Sequence, residues 1–414
     1  MLRNVLYWAG SLGMVGLLGL MAYLCLSTLG VLPKAFPQRR APAPAGTAPL
    51  GFGEALAWAF AALAVQWAAA LLAQGIVAGG LAGFWEGFWQ RFTTAGDSPH
   101  YLYLAQYGYA AAEDKRNLIV FYPLYPLLIR LLGGLLGGRY ALAGLAISQG
   151  CWAAAAALFR ALAGRRLAPG GARAAAAAFL FYPFSFFALG VYTEGLFLLL
   201  SVGCLYALER RWWGLAGLAG LLAALCRTQG LALVFAAGYA VLAAGWRPRK
   251  GGGAALWAVA GPAAGYGGYL ALNWAVHGDA FRYLYYQSIE PWYQHAAWFG
   301  DNLAQQYGMA VEYPGLARYI YIPQLVVYFV AVAALGYLYW RGVCHTAAVY
   351  STAYFGMSYL SSWLISGGRY MFGCIGIFLA LGALPKAPRR LLLAAEAGLL
   401  LLYAVYYRQG QAIM

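Results

Sequence analysis

The sequence predicts an all-α polytopic membrane protein with about 11–13 transmembrane helices. Three observations predict it. Of the 414 residues, 63% are hydrophobic and 9% charged, where an average globular domain carries about a quarter charged residues. Polar groups cannot cover that much apolar surface, so lipid must. The apolar residues also gather in runs long enough to cross a hydrocarbon layer about 30 Å thick. Finally, the basic residues fall in small clusters between those runs, as in "PKAFPQRR", "ERRWW" and "PKAPRR". This is the positive-inside pattern of a membrane protein. With no continuous basic stripe, the net charge of +15 does not point to nucleic acid.

Taken in order, the runs cover about 4–32, 54–82, 140–163, 173–190, 192–209, 212–226, 229–246, 253–275, 320–340, 343–364, 369–384 and 390–407. Several between 173 and 246 are short, which predicts broken or tilted helices. The first run is too long for the apolar region of a signal peptide and lacks a clear cleavage site, so it reads as a span. Residues 1–50 then form an additional N-terminal span and a cytoplasmic linker within a single domain, 1–414. The "AAAAA" tracts at 153–157 and 174–178, with 54 glycines, suit close helix packing. Six single cysteines with no CxxC pair read as small apolar filler rather than a disulfide framework or zinc site.

Charge assigns the sides. Segments 33–54, 160–173, 209–211, 247–250, 341 and 386–390 hold 16 Lys/Arg against only Glu54 and Glu209. They read as cytoplasmic. The other 11 Lys/Arg lie with nine acids at the opposite ends, and Glu396 sits alone inside a run, without an evident role. Two long segments, 83–139 and 277–319, therefore belong to the non-cytoplasmic side. Both are aromatic and amphipathic, which suits helices lying in the interface plane.

The candidate chemistry is concentrated there. In "TTAGDSPHYLYLAQYGY" (93–109) an acid, a proline and a histidine interrupt apolar sequence. The local explanation is a helix start, with Asp97 or Ser98 as cap and Pro99 in the first turn. A cap also holds the carboxylate rigidly, and it leaves the company of His100, Tyr101 and Tyr103 unexplained. Glu194, Arg227 and Arg369 stand at outer span ends. An uncompensated acid there is costly, so either they form an ion pair between helices or the arginines hold an anionic group. The tyrosines and tryptophans of 281–298 fit an aromatic belt or stacking on sugar faces.

Residues 97–130, "DSPHYLYLAQYGYAAAEDKRNLIVFYPLYPLLIR", resemble the first outer loop of the PIG-V-type mannosyltransferases, with its D-S-x-H-Y-L run followed by F-F-P-L-Y-P-L-L. "YPFSFFALGVYTEGLFLLLS" (182–201), "AGLLAALCRTQGLAL" (219–233) and "SGGRYMFGCIGIFLALG" (366–382) resemble three further family segments in the same order. The chain departs from the pattern at Gly96, where the family has Trp, and after Tyr370, where a Pro is missing.

The resemblance implies a GT-C-like fold and an inverting glycosyltransferase. Such an enzyme moves a hexose, typically mannose, from a polyprenyl-phosphate donor to an acceptor hydroxyl. The acceptor would be a glycolipid, polysaccharide or protein. Asp97 and His100 would be catalytic. Glu194, Arg227, Arg369, Tyr101, Tyr122, Tyr192 and Tyr370 would bind substrate. No cofactor is implied beyond the lipid-phosphate donor; a divalent metal is optional, and no metal-ligand motif is present. Composition and the added first span point to a bacterial member in the cytoplasmic (inner) membrane, its site facing outward. The absence of a DxD pair, a P-loop and GxSxG disfavours a nucleotide-sugar donor or a soluble-type hydrolase. The rival from another class is a transporter or flippase of lipid-linked saccharides. Duplicated halves and midplane charges would mark one, whereas here the acids crowd the outer loops.

Overall fold

The computed structural model of the chain describes residues 1–33, 50–110, 112–245 and 252–413. Most of the linker within 1–50 and the basic cluster at 247–250 lie outside the described residues. The described chain is helical, apart from an isolated bridge between Ala296 and Ser361.

Helices α1 (Leu2–Thr28) and α2 (Phe52–Ala78) are followed by the first long loop, with α3 (Phe84–Thr93), α4 (Ser98–Tyr107), a 3-10 helix (Glu113–Val120) and α5 (Leu124–Leu135). The middle of the chain forms α6 (Tyr140–Gly164), α7 (Pro169–Phe181), α8 (Glu194–Glu209), α9 (Trp213–Ala224), α10 (Ala232–Ala243) and α11 (Gly252–His277). The second loop carries α12 (Arg282–Ser288) and α13 (Phe299–Glu312). The chain then runs through α14 (Pro314–Leu316), α15 (Ile322–Arg341), α16 (His345–Tyr359), α17 (Gly367–Tyr370), α18 (Ile375–Ala383) and α19 (Lys386–Arg408).

Every apolar run contains a helix, but fewer have span length than the sequence predicts. Among the described residues five helices are long and apolar enough to cross a membrane: α1, α2, α6, the continuous Pro314–Arg341 and α19. A sixth is reached only if Glu113–Val120 and α5, bent by 115°, count as one span. Helix α11 has 26 residues, but glycines, tyrosines and tryptophans dilute its apolar character. Helices α7, α8, α9, α10, α16 and α18 have 9 to 16 residues. At 1.5 Å per residue the longest covers about 24 Å, short of the hydrocarbon core. They end early because the chain leaves helical geometry at 182–193, 225–227 and 360–366. Non-helical backbone at such depth persists where protein surrounds it.

Helix α6 organises the packing, with α2, α5, α7 and α8 around it. Trp152 is fully buried and donates its indole N–H to the Ala62 carbonyl at 3.2 Å. Phe159, Phe179, Phe372 and Phe378 close the aromatic core beside it. Lipid is as apolar as these side chains, so close van der Waals contact, not exclusion from water, holds such helices together.

The two ends of α6 meet different partners. At its C-terminal end Arg160 pairs with Glu54 at 2.7 Å, and Arg166 pairs with Glu209. At its N-terminal end Ser148 donates to the Tyr192 carbonyl, 2.9 Å away and two residues before Glu194. The separation along the axis is about 25 Å. The predicted interfacial segments form short helices; on α3, Phe84, Phe88 and Phe92 face inward while Trp85 and Trp89 are exposed.

Helix α8 approaches α6 so closely that a Cβ on Gly195 would overlap the Ser148 carbonyl and lie 3.1 Å from the Trp152 nitrogen. Backbone cannot yield as a flexible side chain can. Gly195→Ala should therefore cost about 1–3 kcal/mol, read as a lower unfolding temperature in detergent; an unchanged midpoint would refute this packing.

Candidate active site

The opening motif does not work as a helix cap. Asp97 stands at the N-cap of α4, but neither its carboxylate nor any other side chain caps the helix. Ser98 instead donates to the carbonyls of Val191, at 3.2 Å, and Phe92, at 3.3 Å, and the Val191 amide donates to Phe92 at 2.8 Å. The 92–98 turn is thus fastened to the 190–194 segment. Gly96 is left-handed, with φ +60°, and a Cβ there would lie 2.5 Å from the Tyr192 hydroxyl. That hydroxyl donates to the Ala95 carbonyl at 3.1 Å. Glycine suits position 96 on two counts, the left-handed φ and the Tyr192 hydroxyl that stands where a Cβ would lie.

Fixed in this way, Asp97 presents a carboxylate that is 31% exposed. Its Oδ2 accepts from Nη2 of Arg369 at 2.7 Å. Arg369 also lies 3.2 Å through Nε from Oε1 of Glu194, an ionic contact rather than an aligned hydrogen bond. The same Oε1 accepts from Nη2 of Arg227 at 2.5 Å, and Nε of Arg227 donates to Thr193 Oγ1 at 2.7 Å. Four charges from four separate motifs therefore form one row: Asp97, Arg369, Glu194, Arg227. Glu194 is 1% exposed and Arg369 7%. One buried and one partly buried cation share one buried anion, and ring faces line them: Phe187, Tyr192 and Tyr370 beside Arg369, Phe197 and Tyr370 beside Arg227.

The row lies at a cavity of about 590 Å³. Asp97, Arg227, Arg369, Tyr101, Tyr122, Tyr192 and Tyr370 all line it; Glu194 is buried behind the arginines. His100 is not in the lining and packs its ring against Phe121, 5.0 Å between centroids. Tyr101 meets Phe121 and Tyr125 edge-on. Tyr122 stacks on Tyr269 and shares a 2.7 Å hydrogen bond with Thr228, next to Arg227. Of the second-loop aromatics, Trp292 joins the cavity wall, whereas Tyr285, Tyr293 and Trp298 are exposed. Gln229, Gln287 and Gln294 add uncharged polar groups. Among the described residues no three His, Cys, Asp or Glu side chains converge as a metal site would require.

Sequence reading missed the groups that hold Arg369. The non-helical stretch 360–366 would leave its backbone unpaired. Asn302 donates to the Tyr359 carbonyl at 3.1 Å and Gln306 to that of Leu364 at 2.7 Å. Gln305 accepts from the Trp363 amide at 3.0 Å, and Gln324 from Gly367 at 3.1 Å. Asn302, Gln306 and Gln324 are buried. The available signal was an amide inside an apolar run, "YIPQLVVYFV" for Gln324, where an unpaired polar group is costly. Arg91 was missed as well. It lines the cavity from the end of α3 but belongs to none of the four motifs.

Comparison of the chain with family models, curated proteins and solved structures finds no match.

Removing the shared anion should be severe. Glu194→Gln leaves the partly buried Arg227 without a carboxylate and the buried Arg369 with Asp97 alone, and breaking such a buried pair costs roughly 3–5 kcal/mol. A denaturant midpoint close to the parent's would show that Glu194 does not hold the row together. A milder effect is expected at His100. Burial lowers its pKa below the usual imidazole value, against the opposing pull of Asp97. As pH falls through about 6.5, the unfolded chain binds a proton that the folded chain resists, so stability declines. His100→Gln should flatten that acid-side slope and change nothing above it; identical slopes in thermal melts between pH 5 and 7 would contradict the assignment.

Proposed function

We propose that the chain is a GT-C-type integral-membrane glycosyltransferase. On this reading it moves a hexose, with mannose favoured by the resemblance, from a polyprenyl-phosphate donor to an acceptor hydroxyl on the non-cytoplasmic face. The acceptor is a glycolipid, polysaccharide or protein, and the setting is a bacterial inner membrane. One observation carries the proposal: a partly exposed carboxylate, Asp97, and two guanidinium groups, Arg227 and Arg369, line one cavity. Its volume is within the range of about 300–1,000 Å³ usual for small-ligand sites.

The chemistry follows from the charges. An Asp97 oxygen takes the proton of the acceptor hydroxyl. The hydroxyl oxygen forms its bond to the anomeric carbon on the face opposite the carrier. The bond from that carbon to the phosphate oxygen breaks, and its electron pair stays on the phosphate. Guanidinium groups stabilise the charge that grows there. Arg369 has a double part, because it now neutralises Asp97. A phosphate that draws Arg369 toward itself frees the carboxylate to act as base. Gln229, Gln287, Gln294 and Trp292 offer the hydrogen bonds and apolar face that a sugar ring needs. His100, off the cavity wall, supports the α4 turn rather than touching substrate.

A carrier of lipid-linked saccharides is favoured by one feature, Glu396 within α19, whose Oε2 is buried without a hydrogen-bond partner. Ionisable groups inside spans mark many transport pathways.

A single assay separates the two. The protein in lipid nanodiscs, given polyprenyl-phosphate-mannose with tritiated sugar and an acceptor mixture, should release polyprenyl phosphate. Asp97→Asn should lower turnover about 10²–10⁴-fold while the protein stays folded. Near-parental turnover in the variant removes Asp97 as base, and no release from the parent chain favours transport.

A further inference from the structure

The two arginines singled out by sequence are already engaged, since Arg369 meets Asp97 and Glu194 and Arg227 meets Glu194. Drawing both onto a ligand would strip two carboxylates of their partners. A third guanidinium lines the same cavity. Arg91, in the last turn of α3, forms no ion pair among the described residues. Its side chain lies 5.8 Å from the centre of the Tyr407 ring. Its backbone carbonyl is held by the Tyr407 hydroxyl at 2.6 Å, and that hydroxyl also meets Tyr192 at 3.3 Å. The position of Arg91 is therefore fixed while its charge is uncommitted.

Its surroundings define what it faces. Arg91 and Tyr407 line the large cavity, and on their other side they border, with Arg408, a crevice of only about 20 Å³ between α2, α3 and α19. Phe84, Phe88, Phe92, Ala70, Ala73 and Ala404 enclose that crevice. On the far side of α3, Trp85 and Trp89 are exposed, as membrane-interface anchors are. A guanidinium without a carboxylate partner in the wall of a polar cavity matches an anionic head group. The charge agrees in size. Three guanidinium groups against two carboxylates leave one positive charge at the cavity, and a phosphodiester-linked sugar carries one negative charge.

We propose that Arg91 is the phosphate-binding residue for a polyprenyl-phosphate ligand, taking the head group at the wall of the large cavity. The inference rests on reading the cavity as a lipid-phosphate site. Arg91 is suited to the role because its planar fork can bind two phosphate oxygens at once, and because recruiting it disturbs no existing pair. Arg369 then acts after the head has arrived, and the donor is recognised before the base is released.

The test uses the full chain in detergent with farnesyl phosphate as probe, and with farnesol and inorganic phosphate as controls for tail and head alone. The parent should bind farnesyl phosphate well above both controls. Arg91→Gln should weaken that binding roughly 10–100-fold and leave farnesol binding unchanged, and Arg91→Lys should recover part of the loss. As a measurement free of any variant, phenylglyoxal should modify Arg91 in the parent, with farnesyl phosphate but not farnesol protecting it. If the parent binds farnesyl phosphate no better than farnesol, the lipid-phosphate reading of the cavity falls, and this assignment with it. If the parent binds but Arg91→Gln binds equally, or Arg91 is not protected, the assignment alone is overturned.

Discussion

One carboxylate holds the centre of this molecule together. Glu194 is buried at the first residue of α8 and shares a single oxygen between Arg227 and Arg369. A charge removed from water so completely is stable only with partners. Both partners come from places where a helix has stopped, Arg227 after α9 and Arg369 after the 360–366 break. The breaks and the charges therefore require one another. Continuous helices would carry these side chains past the common point, and without the charges the interrupted backbone would have little to organise it.

The price of those breaks is a set of backbone groups that no helix satisfies. Buried amides meet it: Asn302, Gln305 and Gln306 from α13 and Gln324 from α15 bond the 359–367 backbone. Similar links join Leu124 to the Leu225 carbonyl at 3.1 Å and Ser98 to Val191. Both long loops thus serve the same cavity. The first supplies Asp97 and Arg91, and the second buttresses Arg369.

Much of this arrangement was legible in the sequence. Asp97, Glu194, Arg227 and Arg369 stood out because acids and arginines at apolar boundaries are rare and conspicuous. Helix length was not legible. Hydropathy records the composition of a run and is blind to where backbone hydrogen bonding stops, so 343–364 reads as one span although α16 ends at Tyr359. The role of Ser98 was hidden because one of its two partners, Val191, lies 93 residues away. His100, one turn from Asp97, looked like its companion, yet the turn of α4 carries it toward Phe121 instead. Arg91 carried no local signal, since its significance depends on the α19 segment that folds back against it.

Gly96 and Tyr192 occupy a shared volume. The hydroxyl at 192 sits where a side chain at 96 would begin, so the two positions are bound by a size rule across nearly a hundred residues. A bulky group at 96 demands a smaller neighbour at 192 or a displaced turn, and with it another prop for the acid. In this chain, enlarging residue 96 is therefore felt first at the Tyr192 hydroxyl and, through the Ala95 carbonyl it holds, at the turn that carries Asp97.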